Sequence, residues 1–306
     1  MDDNNNDAQI TTKTTFLKLS TYMEKNFHDV SFNFSLYPGF NSALNIERLL
    51  LMNLSKLSDF IENYVWLPFA ISLLYFIIVV CWIPRLMRNR QPYRLNDVLS
   101  FWNLTMALFS IVGTFRLLPE LIFMIQNYGL FQSICDDRYI DDPRYFLWMF
   151  LFQFSKMFEL LTSVIIILNK GKLLSIHWIY NIISLCYSWQ MLEMPSNTRW
   201  LVCTDFLVHS FKYLYFAMKT STQNPLPRVF PMAITLLQIL QAIICLLTEW
   251  VNLWYPQQVC HKDKYLSFAG FFIYGVFTIW LIRIFIEKYL PTTTTDYEAI
   301  ETKKNE

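Results

Sequence analysis

Ser155-Lys156-Met157-Phe158-Glu159-Leu160, His177-Trp178-Ile179-Tyr180-Asn181 and Val208-His209-Ser210-Phe211-Lys212-Tyr213 all fall inside one strongly apolar stretch, residues 154–216. Ionisable groups at bilayer depth are costly, so their presence marks a polar site inside a membrane-embedded chain rather than a plain anchor. Both fold and function turn on these three segments.

Composition points the same way. The 306 residues are 54% hydrophobic, 18% aromatic and 16% charged, against about 25% charged for an ordinary soluble domain. Seven apolar runs carry the excess: 64–82, 98–125, 145–168, 173–194, 200–218, 229–251 and 265–286. Each approaches the ~20 residues that a helix needs to cross a hydrocarbon core. The reading is an all-α polytopic membrane protein, a bundle of seven transmembrane helices, with a lumenal polar N-terminal segment (1–63), the helical domain (64–289) and a cytosolic tail (290–306). A β-barrel would need shorter, alternating segments. The acidic, Asn-rich start does not read as a cleavable signal peptide.

Orientation follows from charge. Arg85, Arg88, Arg90 and Arg94 crowd the first connection, whereas Asp136, Asp137, Asp141 and Asp142 dominate the second. The positive-inside rule places the first connection in the cytosol, the N-terminus in the lumen and the C-terminus in the cytosol. The end, Lys303-Lys304-Asn305-Glu306, reads as a dilysine retrieval address for the endoplasmic reticulum membrane. Cys135 and Cys260 fall in the two expected lumenal loops, where a disulfide persists, and they are expected to pair. The other cysteines, Cys81, Cys186, Cys203 and Cys245, lie within apolar runs. Sequons at Asn33 and Asn53 are on the lumenal side, and one at Asn103 falls within a helix.

Residues three and four apart share a helix face. Lys156 with Glu159, His177 with Tyr180 and Asn181, Asp205 with His209, Lys212 and Tyr213, and Thr235 with Gln238 and Gln241 therefore form four polar stripes on four helices. Turned inward they would line a polar cavity; interhelical hydrogen-bond glue is the alternative use of such residues. Only four histidines are present, too few for a di-iron site with about eight, and no metal is expected. No nucleic-acid partner is expected either.

The order and spacing of these residues resemble the ELO fatty acid elongases, the 3-oxoacyl-CoA synthases of very-long-chain fatty acid elongation. The resemblance runs over about 98–286. It rests on Gly129-Leu130 with Gln132-Ser133-Ile134-Cys135-Asp136, Lys156 with Glu159-Leu160, His177-Trp178, Tyr187-Ser188-Trp189, Val208-His209 with Tyr213 and Tyr215, and Thr235 with Gln238 and Gln241. It implies condensation of a long-chain acyl-CoA with malonyl-CoA as co-substrate, with no bound cofactor. The acyl tail would lie in a narrow tunnel closed at its lumenal end, with CoA at the cytosolic mouth. His177, His209, Tyr180 and Asn181 would be the catalytic set. Lys156, Glu159, Asp205, Lys212, Tyr213, Tyr215, Gln238 and Gln241 would bind substrate. Partners implied are the reductases and dehydratase of the elongation cycle, with homo- or hetero-oligomers compatible.

The chain departs from the family pattern at that site. The family's HxxHH box reads His177-Trp178-Ile179-Tyr180-Asn181. Thr162-Ser163 stands for Asp-Thr, Asp205 for Asn and Lys212 for Met. A phenol titrates near pH ~10 and an amide accepts no proton, so neither replaces an imidazole as base. Three functions are thus carried forward: an elongase of reduced or altered activity, a non-catalytic homologue that binds acyl chains or scaffolds the elongation complex, and a seven-helix receptor.

Overall fold

The computed structural model describes residues 47, 50, 59–60, 63–136, 139, 143–171, 173, 175–191, 197–221, 226–260 and 263–290. Among them all extended regular structure is helical: α1 (Leu67–Met87), α2 (Asn96–Cys135), α3 (Pro143–Leu168), α4 (Ser175–Met191), α5 (Thr198–Ser221), α6 (Val229–Trp254) and α7 (Lys264–Tyr289). The expectations for Asn33, Asn53 and Lys303-Lys304 lie outside the described residues, as does most of 1–63 and 290–306. Asn103, in the third sequon, is buried in α2.

Five helices, α1, α2, α3, α6 and α7, are long and apolar enough to span a bilayer. The other two fall short for visible reasons. α4 has 17 residues, about 26 Å at 1.5 Å per residue, against a core of ~30 Å. α5 carries Arg199, Asp205, Lys212 and Lys219, each expensive in hydrocarbon unless turned to a protein interior. The least apolar helix is thus the one with most of its charged groups to hide.

The neighbours form a ring: α2 meets α3, α3 meets α4, α4 meets α7, α7 meets α6, α6 meets α5, and α5 returns to α2. α1 packs outside, against α3 and α4. Its middle, Phe76–Trp82, is a π-helical turn that ends just before Pro84, whose missing N–H cannot continue the regular ladder. Phe146, Trp148 and Phe152 of α3 meet Phe206 of α5 and Leu117 and Leu121 of α2 in the largest buried apolar cluster.

One boundary differs from expectation. The second apolar run fades near 125, yet helix continues to Cys135, with a break at Gly129 (φ 84°). Glycine takes that left-handed conformation without the Cβ clash that other residues meet. The redirected turn brings Cys135 to Cys260, and the two form a disulfide. Cys135 therefore closes a helix rather than sitting in an open loop.

Candidate functional site

α3 supplies the spine of the site. Lys156, Glu159 and Ser163 repeat at three and four residues and share one face. The Lys156 ammonium donates to Glu159 Oε1 at 2.9 Å and, across the interior, to Asp205 Oδ2 of α5 at 2.5 Å. His209, one turn beyond Asp205, brings Nδ1 to 3.3 Å from both carboxylates. Gln241 of α6 donates Nε2 to the other oxygen of Asp205 at 2.8 Å. Lys156, Glu159, Asp205 and His209 are all buried.

A buried charge must be paired and hydrogen-bonded to persist, and this network does both. Two carboxylates flank the Lys156 ammonium, and Lys212 of α5 acts on both of them as a second cation. A carboxylate pair beside Nδ1 favours the tautomer with its proton there, leaving Nε2 as the atom free for chemistry. Glu159, Asp205 and His209 place three possible metal donors within 4.8 Å, but the Lys156 ammonium already supplies positive charge between the two carboxylates.

The other histidine docks on the same α3 face. His177 Nδ1 lies 3.2 Å from Ser163 Oγ, one helical turn, or about 6 Å of rise, beyond Glu159. Both imidazoles therefore address one stripe of α3. Their companions on α4 are less engaged. Tyr180 packs its ring edge-on against Phe277 of α7, centroids 4.9 Å apart. Asn181 is buried beside the Tyr75 hydroxyl, and its Nδ2 makes no well-aligned hydrogen bond.

Beside the cluster lies a narrow slot of about 40 Å³, lined by Tyr180, Ser184 and Tyr187 of α4, Leu201 and Asp205 of α5 and Gln241 of α6. Its walls are mostly apolar, with Met191, Val202 and Ile273 among them. Tyr180, Asp205 and Gln241 are the anticipated site residues that reach it. Lys156, Glu159 and His209 stand behind Asp205. Tyr213 stacks edge-on with His209, centroids 5.2 Å apart, and Lys212 lies over the Tyr213 ring at 4.7 Å. Tyr215 is not brought in: it stacks with Phe216. Gln238 has no side-chain partner among the described residues and is separate from Asp205, while Thr235 bonds back to the Pro231 carbonyl.

Further buried acids escaped the reading by stripes. Glu249 of α6 accepts the Tyr187 hydroxyl at 2.6 Å, at a point where a β-carbon on Gly270 would overlap that hydroxyl. Arg199 forms an ion pair with Glu120 at 2.9 Å and donates to the Ser133 carbonyl at 2.9 Å, with its guanidinium over the Tyr139 ring. Glu47, from the N-terminal segment, is buried between Arg116 at 3.0 Å and the Trp148 indole at 2.8 Å. A lone acid in an apolar helix, Glu120 or Glu249, was the available signal.

Comparison with known proteins agrees with this geometry. The profile described as "ELO: GNS1/SUR4 family" matches residues 60–296, a longer stretch than the motifs alone span. The chain is 32% identical over 267 residues to the very long chain fatty acid elongase 6 of Drosophila melanogaster, covering 85% of this chain and 83% of that protein. It is 31% identical over 261 residues to the very long chain fatty acid elongase 3 of Mus musculus, covering 82% and 96%. With the human very long chain fatty acid elongase 6 it shares 32% over 207 residues, covering 67% and 78%.

Proposed function

The chain belongs to the ELO (GNS1/SUR4) family, and on that premise we propose that it condenses a long-chain acyl-CoA with malonyl-CoA to a 3-oxoacyl-CoA. The observation that carries the reading is the Lys156–Glu159–Asp205–His209 network buried against an apolar-walled slot. In the reaction, loss of carbon dioxide from malonyl-CoA leaves a carbanion equivalent. That carbon attacks the acyl carbonyl, a carbon–carbon bond forms, the acyl carbon–sulfur bond breaks, and CoA leaves with a proton.

The parts have assignable roles. His209, with Nδ1 held by Glu159 and Asp205, offers Nε2 as base or as transient acyl acceptor. Tyr180 and the Gln241 amide stand where a developing oxyanion would be hydrogen-bonded. The acyl tail would run down the slot past Leu201 toward Met191, in a seven-span bundle with a tunnel. CoA would stay at the Arg-rich end, the side that its charge makes the expected cytosolic one. Malonyl-CoA is the co-substrate, no bound cofactor is required, and the reductases and dehydratase of the cycle are the natural partners.

A second reading has its own support. Tyr180 and Asn181 stand where the family carries histidines, and losing one positioned base costs about 10² to 10⁴ in rate. A chamber that binds acyl chains without turnover, or a scaffold for the elongation complex, fits that loss. Family membership argues against the receptor reading. Purified full-length protein given acyl-CoA and radiolabelled malonyl-CoA decides between the first two: labelled 3-oxoacyl-CoA above a membrane blank supports condensation, and acyl-CoA binding without product supports the silent homologue.

A further inference from the structure

Opposite faces of α4 look into different spaces. Tyr180, Ser184 and Tyr187 line the inner slot, whereas Trp178 and Ile182 pack toward α1. Residues 178 and 180 lie about 200° apart around a helix of 3.6 residues per turn. The α1 side opens, at the Arg-rich end, into a second pocket of about 460 Å³. Val80, Pro84 and Met87 of α1 and Trp178 of α4 give it apolar walls, and Arg88 and Lys170 stand on its rim.

These two cations come from different elements, one just past α1 and one just past α3. Neither side chain makes an ion pair or hydrogen bond among the described residues. Arg85 differs: it is turned back on its own helix, donating Nη1 to the Cys81 carbonyl at 2.9 Å. Lys170 also holds φ +54°, and no other described non-glycine residue has a positive φ, a conformation that L side chains adopt at a cost. Both cations complement helix C-terminal dipoles; what sets them apart is that they share one apolar-walled pocket.

We infer that this pocket binds the phosphate headgroup of an anionic membrane lipid. Arg88 and Lys170 take the phosphate oxygens as charge-assisted donors, and the acyl chains continue along the outer flank of α1. That flank is apolar and uncovered: Leu73, Leu74, Ile77 and Trp82 are 62, 58, 50 and 59% exposed, as a lipid-facing surface should be. The site lies on the far side of α4 from the slot, so it is separate from the proposed condensation chemistry.

The test is native mass spectrometry of the full-length protein released from mixed phosphatidylserine and phosphatidylcholine bicelles. The wild type should retain phosphatidylserine in preference to phosphatidylcholine. Arg88→Gln and Lys170→Gly should each weaken that retention about fivefold. Glycine takes the left-handed conformation freely, so Lys170→Gly removes the amine without straining the turn. Arg283→Gln, on the exposed face of α7, should leave retention unchanged. Equal retention of the two lipids, or wild-type retention in Lys170→Gly and Arg88→Gln, overturns the proposal. Displacement of the lipid by inorganic phosphate or adenosine 3′,5′-bisphosphate overturns it too, and assigns the pocket to a soluble phosphate instead.

Discussion

Two polar stripes face α3, and they differ in how completely they are wired. The α5 stripe sends Asp205 and His209 into a network where Lys156 donates to Glu159 and Asp205 and Gln241 donates to Asp205. The α4 stripe sends His177 to Ser163, but Tyr180 rests on a phenylalanine ring and Asn181 leaves its amide nitrogen without a well-aligned hydrogen bond. The difference separates two parts of one site: the α5 half is held in place by ion pairs and hydrogen bonds, and the α4 half, where Tyr180 and Asn181 stand, is packed with fewer polar partners. Under the proposed condensation, the chemistry would therefore fall to His209.

The largest effect expected concerns the ionic half. Lys156→Met strands two buried carboxylates and should cost about 3 to 5 kcal/mol, seen as loss of monodisperse protein in detergent chromatography. A well-behaved variant with wild-type thermal stability would break the comparison. Next, His209→Ala should lower condensation by about 10² to 10⁴, while His177→Ala should cost less than tenfold in the same assay. Equal losses would make the two stripes equivalent.

Gln241→Leu removes a donor to an ionised carboxylate, worth about 1.5 to 3 kcal/mol, and thermal unfolding with a bound acyl-CoA should report it. Restoring histidine at both 180 and 181 should raise turnover about tenfold or more without changing stability, which sharpens the view that only chemistry has been lost from α4. The smallest effect should be Asn181→Leu: a buried amide without a well-aligned hydrogen bond gives up little, so stability should hold within ~1 kcal/mol or improve.

The helices were legible because apolar runs of bilayer length have few alternatives, and each predicted run lies largely within one observed helix. The end of α2 was not. Its mixed-polarity stretch from Tyr128 to Ser133 gives no span signal, and the reason it stays helical is tertiary: Ser133 presents its carbonyl to Arg199 and Cys135 meets Cys260. Stripe periodicity put Lys156 with Glu159 and Asp205 with His209, since same-face neighbours follow from 3.6 residues per turn. It could not say that Gln241 meets Asp205 while Gln238 does not, because that depends on how α6 is rotated. Glu47, Glu120 and Glu249 escaped for a related reason: each is a solitary acid whose partner comes from another segment, so no pattern within its own helix marks it.

The claim under all of this is that the acyl chain occupies the slot beneath Asp205. An acyl-CoA with a photoreactive diazirine at its chain end, irradiated with the full-length protein in membranes and mapped by mass spectrometry, addresses that claim without depending on turnover. The label should fall on slot-lining residues such as Met191 or Leu201 and vanish when Leu201→Trp fills the space. Labelling confined to the outer surface, at residues such as Leu73 or Phe272, and unchanged by Leu201→Trp, would contradict it.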